Sequence, residues 1–358
     1  MRFVILLLAF AAAAPAQDKL RVGIAGLTHG HPGGFFSRFL SRADLDVVGV
    51  SEPDAALAAT YTARYKLDGS RVFKSHAEMM DKTKPEAVMI FTSTAEHKDI
   101  VELCAKRKIH VIMEKPLAIS NEHARAMAEA GRKAGIHVMV NYETTWYPVN
   151  TPIWRMVHEE KQLGGIRRIV THYGHQGPKE IGVGPEFLGW LTDPAKNGAG
   201  ALFDFGCYGA NFATWLFDNQ RPVSVSAVTH TNKPDIYGRV DDEATITVQY
   251  PKAQLIIQPS WNWPFARKDM EVYGERGLLV TANPADYKFR VGSMGWEQAA
   301  KAGPLAAPED DVVRYLTAVV RGRTKPSGLS AIENNLIVTE ILVAARESAR
   351  TGRVVMLK

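Results

Sequence analysis

Between residues 20 and 140, short and almost uninterrupted apolar runs alternate with helical segments, and this alternation restricts the fold more than any other feature of the chain. The runs RVGIAGL, DLDVVGV, AVMIFT, HVIME and HVMVN have the length and β-branched content of strands, and segments such as 54–65 and 97–106 have helical spacing. A sheet with one wet face would alternate apolar with polar residues along each strand. Continuous apolar runs predict parallel strands buried on both faces, each joined to the next by a crossover helix. After Asn141 the pattern changes. A helix is expected near 151–160, then period-two stretches at 223–231, 244–250 and 254–260. In DEATITVQY, Ala244, Ile246 and Val248 alternate with Thr245, Thr247 and Gln249, which predicts antiparallel strands with one packed face. Helical segments near 310–321 and 330–349 close the chain.

A length of 358 residues exceeds one ordinary domain, so two are expected. The net charge of +5 is spread among mixed signs without basic runs, which argues against nucleic acid as a partner. Arg2, the apolar stretch 3–14 and Ala14-Pro15-Ala16 before Gln17 have the order of a signal peptide, which predicts a leader over 1–16 and a periplasmic or secreted protein. No later stretch reaches the roughly 20 apolar residues of a membrane span, so the mature chain should not cross one. With only Cys104 and Cys207, the chain has no disulfide framework, and both read as isolated buried thiols.

The first strand runs into Gly23-Ile24-Ala25-Gly26-Leu27-Thr28-His29-Gly30-His31, where a dinucleotide-binding fold places its tight phosphate turn. The match is imperfect. If Gly26 is the first fingerprint glycine, Thr28 and His31 stand where the others would be, with Gly30, Gly33 and Gly34 close by. The second strand ends at Ser51-Glu52, and a carboxylate at this spacing accepts hydrogen bonds from ribose hydroxyls and repels a 2′-phosphate. Glu52 therefore favours NAD over NADP. His29 and His31 have no third ligand nearby in sequence, so no metal is expected.

Glu114-Lys115-Pro116 ends the strand HVIM, after the strand–helix unit FTSTAEHKDIVELCAKRKIHVIMEKPLA. These residues resemble the Gfo/Idh/MocA oxidoreductases, and the terminal ESARTGRVV is similar to that family's last helix and strand. The resemblance implies a Rossmann domain over 17–141. It implies an α+β domain on a mostly antiparallel open sheet over 142–358, whose last helices pack back on the first and whose sheet forms homo-oligomers. It also implies that Lys115 lies between nicotinamide and substrate, before a Lys-Pro bond that is often cis, and that Gly23, Gly26, Thr28, His29, Gly30, His31, Glu52, Thr92, His97 and Glu114 contribute to the cofactor site.

The stretch Gly198-Ala199-Gly200-Ala201-Leu202-Phe203-Asp204-Phe205-Gly206-Cys207-Tyr208 resembles the second family motif, with Tyr208 where most relatives carry histidine. Spaced by four at a helix start, Asp204 and Tyr208 can face one cavity. The Asp/Tyr version resembles the branch containing glucose-fructose oxidoreductase, xylose dehydrogenase and dihydrodiol dehydrogenase, in which tyrosine carries the proton. In this reading the Lys115 ammonium lowers the tyrosine toward a useful range, and Asp204 orients substrate hydroxyls. Tyr142, Trp146, His172, His175 and Trp190, with Asn141, complete the candidate lining for a sugar. The function implied is an NAD(P)-dependent hydride transfer at a carbinol carbon of a sugar or polyol. Two alternatives remain open: an NAD-retaining glycoside hydrolase acting through transient oxidation, and a sugar-binding relative without catalysis.

Overall fold

The structure is a computed structural model that describes residues 19–357, so the leader and its cleavage site lie outside the described residues. Six parallel strands form the first sheet: β1 (Leu20–Ala25), β2 (Leu45–Ser51), β3 (Val72–Phe73), β4 (Ala87–Ile90), β5 (His110–Glu114) and β6 (Val138–Asn141), in the order β3-β2-β1-β4-β5-β6. Crossovers run through α1 (Pro32–Phe39), α2 (Ala55–Tyr65), α3 (His76–Thr83), α4 (His97–Lys106) and α5 (Asn121–Ala134). Local chemistry sets the helix ends. Asp54 accepts from the N–H groups of Ala56 and Leu57 to start α2, and Ser120 accepts from His123 N–H to start α5, which Gly135 ends at φ +69°. The strand order reverses between β1 and β4, which opens a crevice above their carboxyl ends.

The second sheet has nine strands: β7 (Ile166–Gly174), β8 (Ser224–His230), β9 (Glu243–Gln249), β10 (Gln254–Ser260), β11 (Arg267–Gly274), β12 (Gly277–Thr281), β13 (Asp286–Val291), β14 (Gln298–Lys301) and β15 (Val355–Met356). Their order is β14-β13-β12-β11-β7-β10-β9-β8-β15, antiparallel except where β7 meets β10. One face is covered by the helices Gly206–Leu216 and Ile332–Thr351. A Cβ on Gly209 would lie 2.3 Å from Thr171 Oγ1, so glycine is what lets the first of these helices rest so close to β7. The helix anticipated near 151–160 is a short α-helix, Asn150–Trp154, that continues as a π turn, Arg155–Glu159.

The helix Val312–Val320 returns to the first sheet. Its Val312, Val313, Leu316 and Val319 share an apolar cluster with Leu20, Phe35 and Met89, and its capping Asp311 accepts from Arg42 Nη1 at 2.8 Å. Cys104 and Cys207 are both buried and unpaired, and burial pushes the Cys207 thiol up to about 12. Among the described residues no helix is long and apolar enough to cross a membrane.

Candidate active site

At the end of β1, Gly26 takes φ +81°, and a Cβ there would stand 2.2 Å from Thr92 Cγ2, so the turn needs glycine. Gly23 does not belong to this turn. It lies within β1, where a Cβ would meet Met79 Sδ at 2.8 Å, and its lack of a side chain serves the packing of α3. Glu52 is buried, 3% exposed, and its carboxylate accepts from Leu27 N–H at 2.7 Å and Asp54 N–H at 2.9 Å. Burial raises its carboxyl pKa, against the pull of these two donors. The side chain thus ties the ends of β1 and β2 together, and each of its oxygens accepts one backbone donor.

Trp190 was expected at the substrate. Its Nε1 instead donates to Thr28 O at 3.1 Å, and its ring flanks the buried His29 ring together with Phe187, so it braces the phosphate turn. Gly30 sits under the Phe187 ring. His31 Nδ1 lies 2.9 Å from Glu114 Oε2, while Glu114 Oε1 accepts from Asn141 Nδ2 at 2.8 Å and Asn141 Oδ1 accepts from Trp146 Nε1 at 3.0 Å. Burial works against the Glu114 charge, but His31 and Asn141 hold its carboxyl below the ordinary value. His97 is buried with Nδ1 3.1 Å from Leu117 O, and burial lowers its pKa to about 4, so the neutral ring anchors the chain just past Pro116. Thr92 is also buried, against Gly26.

The Lys115–Pro116 bond is cis. Lys115 Nζ lies 2.5 Å from Asp204 Oδ1 and donates to Asp204 O at 3.1 Å, and Trp261 Nε1 donates to Asp204 Oδ2 at 2.9 Å. Burial disfavours both charges, yet each overcomes it in the other: the Lys115 pKa is raised and that of Asp204 lowered. The ring of Tyr208 lies 5.1 Å from Lys115 Nζ and 5.3 Å from Lys268 Nζ, stacked on Tyr173. These two cations do not make a tyrosinate. Burial first, then the Cys207 thiol and the carboxylates of Glu143, Asp204 and Glu114, push the phenol well above its ordinary value. The expectation that Lys115 lowers it fails because burial of the phenol outweighs the nearby cations, and the hydroxyl keeps its proton at neutral pH.

His175 follows β7, and its Nδ1 accepts from Gly177 N–H at 2.9 Å, so the neutral ring carries its proton on Nε2. Burial keeps it neutral by lowering its pKa, and Asp204, Lys268 and Lys115 are all within electrostatic reach. His172 is on the other side of the sheet. Strand alternation puts it opposite in direction to Thr171 and Tyr173, and its Nδ1 pairs with Asp269 at 3.0 Å on β11, so it does not line the cavity. Tyr142 is fully buried edge-on to Tyr208 and forms a wall behind it. Trp146 does face a cleft of about 430 Å³ with His31, Glu114, Asn141 and Glu143.

Three residues at this centre had no sequence signal: Trp261, Lys268 and Glu143. Lys268 reaches Tyr208 because β11 sets it opposite Tyr173, and it pairs with Glu143. That register is not written in the local sequence.

Residues 20–142 match a family model described as an oxidoreductase family, NAD-binding Rossmann fold, and residues 154–280 match the GFO/IDH/MocA C-terminal domain. Trans-1,2-dihydrobenzene-1,2-diol dehydrogenase of Sus scrofa is 27% identical over 250 residues, 69% of either chain. D-apiose dehydrogenase of Paraburkholderia graminis is 25% identical over 347 residues, 91% of this chain and 88% of that one. An inositol dehydrogenase homolog from Azotobacter vinelandii, solved with NAD+, shares the fold with a TM-score of 0.82 at 17% identity over 98% of this chain and 100% of its own.

Proposed function

Because the chain belongs to the GFO/IDH/MocA family of NAD-binding oxidoreductases, we propose that it interconverts a carbinol and a carbonyl on a sugar or polyol. The observation that carries this reading is the buried Lys115–Asp204 pair at 2.5 Å beside the Tyr208 ring, at the end of β5. The crevice fits a dinucleotide. Gly26 lets the chain turn sharply at the end of β1, and Thr28 Oγ1 and His29 Nε2 are buried polar atoms without a protein partner among the described residues. The turn 26–31 and Glu52 would hold it, with Glu52 favouring NAD over NADP. When bound, its nicotinamide supplies or accepts the hydride.

The chain's own groups handle the oxygen and its proton. Lys115, fixed by Asp204, is a cation for the substrate oxygen, and Tyr208 keeps its proton at neutral pH. His175 offers Nε2–H as a further donor. A centre with three donors stabilises the negative charge that builds on the oxygen in the transition state, and the protonated phenol is the form that carbonyl reduction uses at neutral pH.

Export rests on the leader 1–16, and N-terminal mass analysis starting at Gln17 is the expected result. Self-association rests on the uncovered face of the second sheet, which carries Val228 at 68% exposure, and sedimentation should give a mass above the monomer's. For the activity, copurifying nucleotide is identified by mass spectrometry and its absorbance followed against a panel of sugars, polyols and their carbonyl products. Net change of nucleotide redox state with one of them is expected. A protein that binds no nucleotide, or whose bound NAD cleaves a glycoside with no net redox change, would overturn the reading.

A further inference from the structure

The two histidines of the phosphate turn lack a third ligand in their own segment, and the fold supplies one. Glu114, 83 residues beyond His31, ends β5 directly across from the turn. His29, His31 and Glu114 each offer one ligand atom, and these atoms all lie within 4.8 Å of one another. We propose that they bind one divalent transition-metal ion.

The spacing suits such an ion. Metal–nitrogen and metal–oxygen bonds of about 2.0–2.2 Å set neighbouring ligands about 3.0–3.5 Å apart, and His31 Nδ1 and Glu114 Oε2 are already 2.9 Å apart. His29 is 2% exposed, and no side chain among the described residues hydrogen-bonds to it. Its Nδ1 accepts only the His31 N–H, at 3.2 Å, a bond a small rotation of the ring would exchange for a metal. The surroundings are also built. Asn141 donates to the second Glu114 oxygen and is itself held by Trp146, the outer-shell arrangement that orients a carboxylate ligand, while Phe187 and Trp190 fix the His29 ring.

Two imidazoles and one carboxylate select zinc, cobalt, manganese or iron over calcium and magnesium. Three protein ligands leave positions open. The His31 side chain is 43% exposed, so those positions give onto the adjoining cleft of about 430 Å³ and suit paired oxygens such as vicinal hydroxyls. This inference rests on the ligand geometry and does not need the oxidoreductase reading.

The whole protein, stripped with EDTA, is titrated with Co2+ while visible absorption is followed, and zinc uptake is counted by mass spectrometry after dialysis. One equivalent is expected, with a band of nitrogen and oxygen ligation. His31→Ala and Glu114→Gln should each weaken uptake at least about 100-fold. Circular dichroism identifies any variant that fails to fold, and Glu114→Gln, which keeps the Asn141 bond, then decides. Absence of stoichiometric uptake, or equal uptake by the parent and a folded variant, overturns the site. Because metal is read without nucleotide or turnover, either result leaves the redox reading to its own test.

Discussion

Replacing Asp204 by asparagine should remove a charge and almost no volume, which isolates the electrostatic role of the pair it makes with Lys115. An exposed ion pair contributes about 0–1 kcal/mol. This pair differs, because both side chains are 7% exposed and the charged atoms lie 2.5 Å apart. Deleting one partner leaves a buried ammonium uncompensated, for which about 3–5 kcal/mol is expected. For a chain of this size that corresponds to a drop in Tm of roughly 4–7 °C. The pH dependence has a definite sign. The Asp204 pKa is lowered in the folded protein, so its stabilisation is complete above the unfolded value near 4 and is lost as pH falls through the folded value. The gap between parent and variant, measured by urea denaturation, should therefore be full at neutral pH and close in acid. Lys115→Met combined with Asp204→Leu should recover much of the lost stability, since neither charge then remains buried. A gap under about 1 kcal/mol at pH 7, or one that widens in acid, would refute the reasoning.

Tyr208→Phe should cut kcat by about 10²–10⁴ with NAD affinity unchanged in titration, since the ring still packs on Tyr173. Because burial raises the phenol's pKa, carbonyl reduction in the parent should hold steady through neutral pH and decline only above the ordinary phenol range near 10. A decline starting below pH 8 would contradict this. Gly26→Ala should lower stability by about 1–3 kcal/mol and weaken NAD binding, because its φ of +81° and the 2.2 Å approach of Thr92 leave no room for a Cβ; calorimetry reads both. His172→Ala should leave kcat and KM unchanged, as its ring lies on the far face with Asp269.

The parallel sheet was legible because burial on both faces writes itself into every strand as continuous apolar sequence. The helical segments 54–65 and 97–106 were equally plain, since a 3.6-residue period is a local fact. Facing was harder. His172 and His175 are three residues apart at one strand end, and only the pairing of β7 with β11 and the alternation along β7 separate them. Tyr208 and Lys115 were read from two separate motifs and the fold sets them side by side, but the direction of the phenol's shift was not foreseeable from those motifs. Burial decides it, and the rings of Tyr142 and Tyr173 that enclose Tyr208 come from segments far from it in sequence. Glu114 reads as part of a motif beside Lys115, whereas its contact with His31 exists only once β1 and β5 share a sheet.

The helix Val312–Val320 has a consequence for the order in which the protein can be made. Until the ribosome has passed residue 320, the apolar surface formed by Leu20, Phe35 and Met89 has no cover, although every strand of that sheet was completed by residue 141. The nucleotide-binding half is thus unfinished for about half of synthesis, and a chain truncated before Val312 would present that surface to solvent and to its neighbours. The core of the first sheet is therefore closed by residues near the far end of the chain, and that domain completes its folding only once they are available.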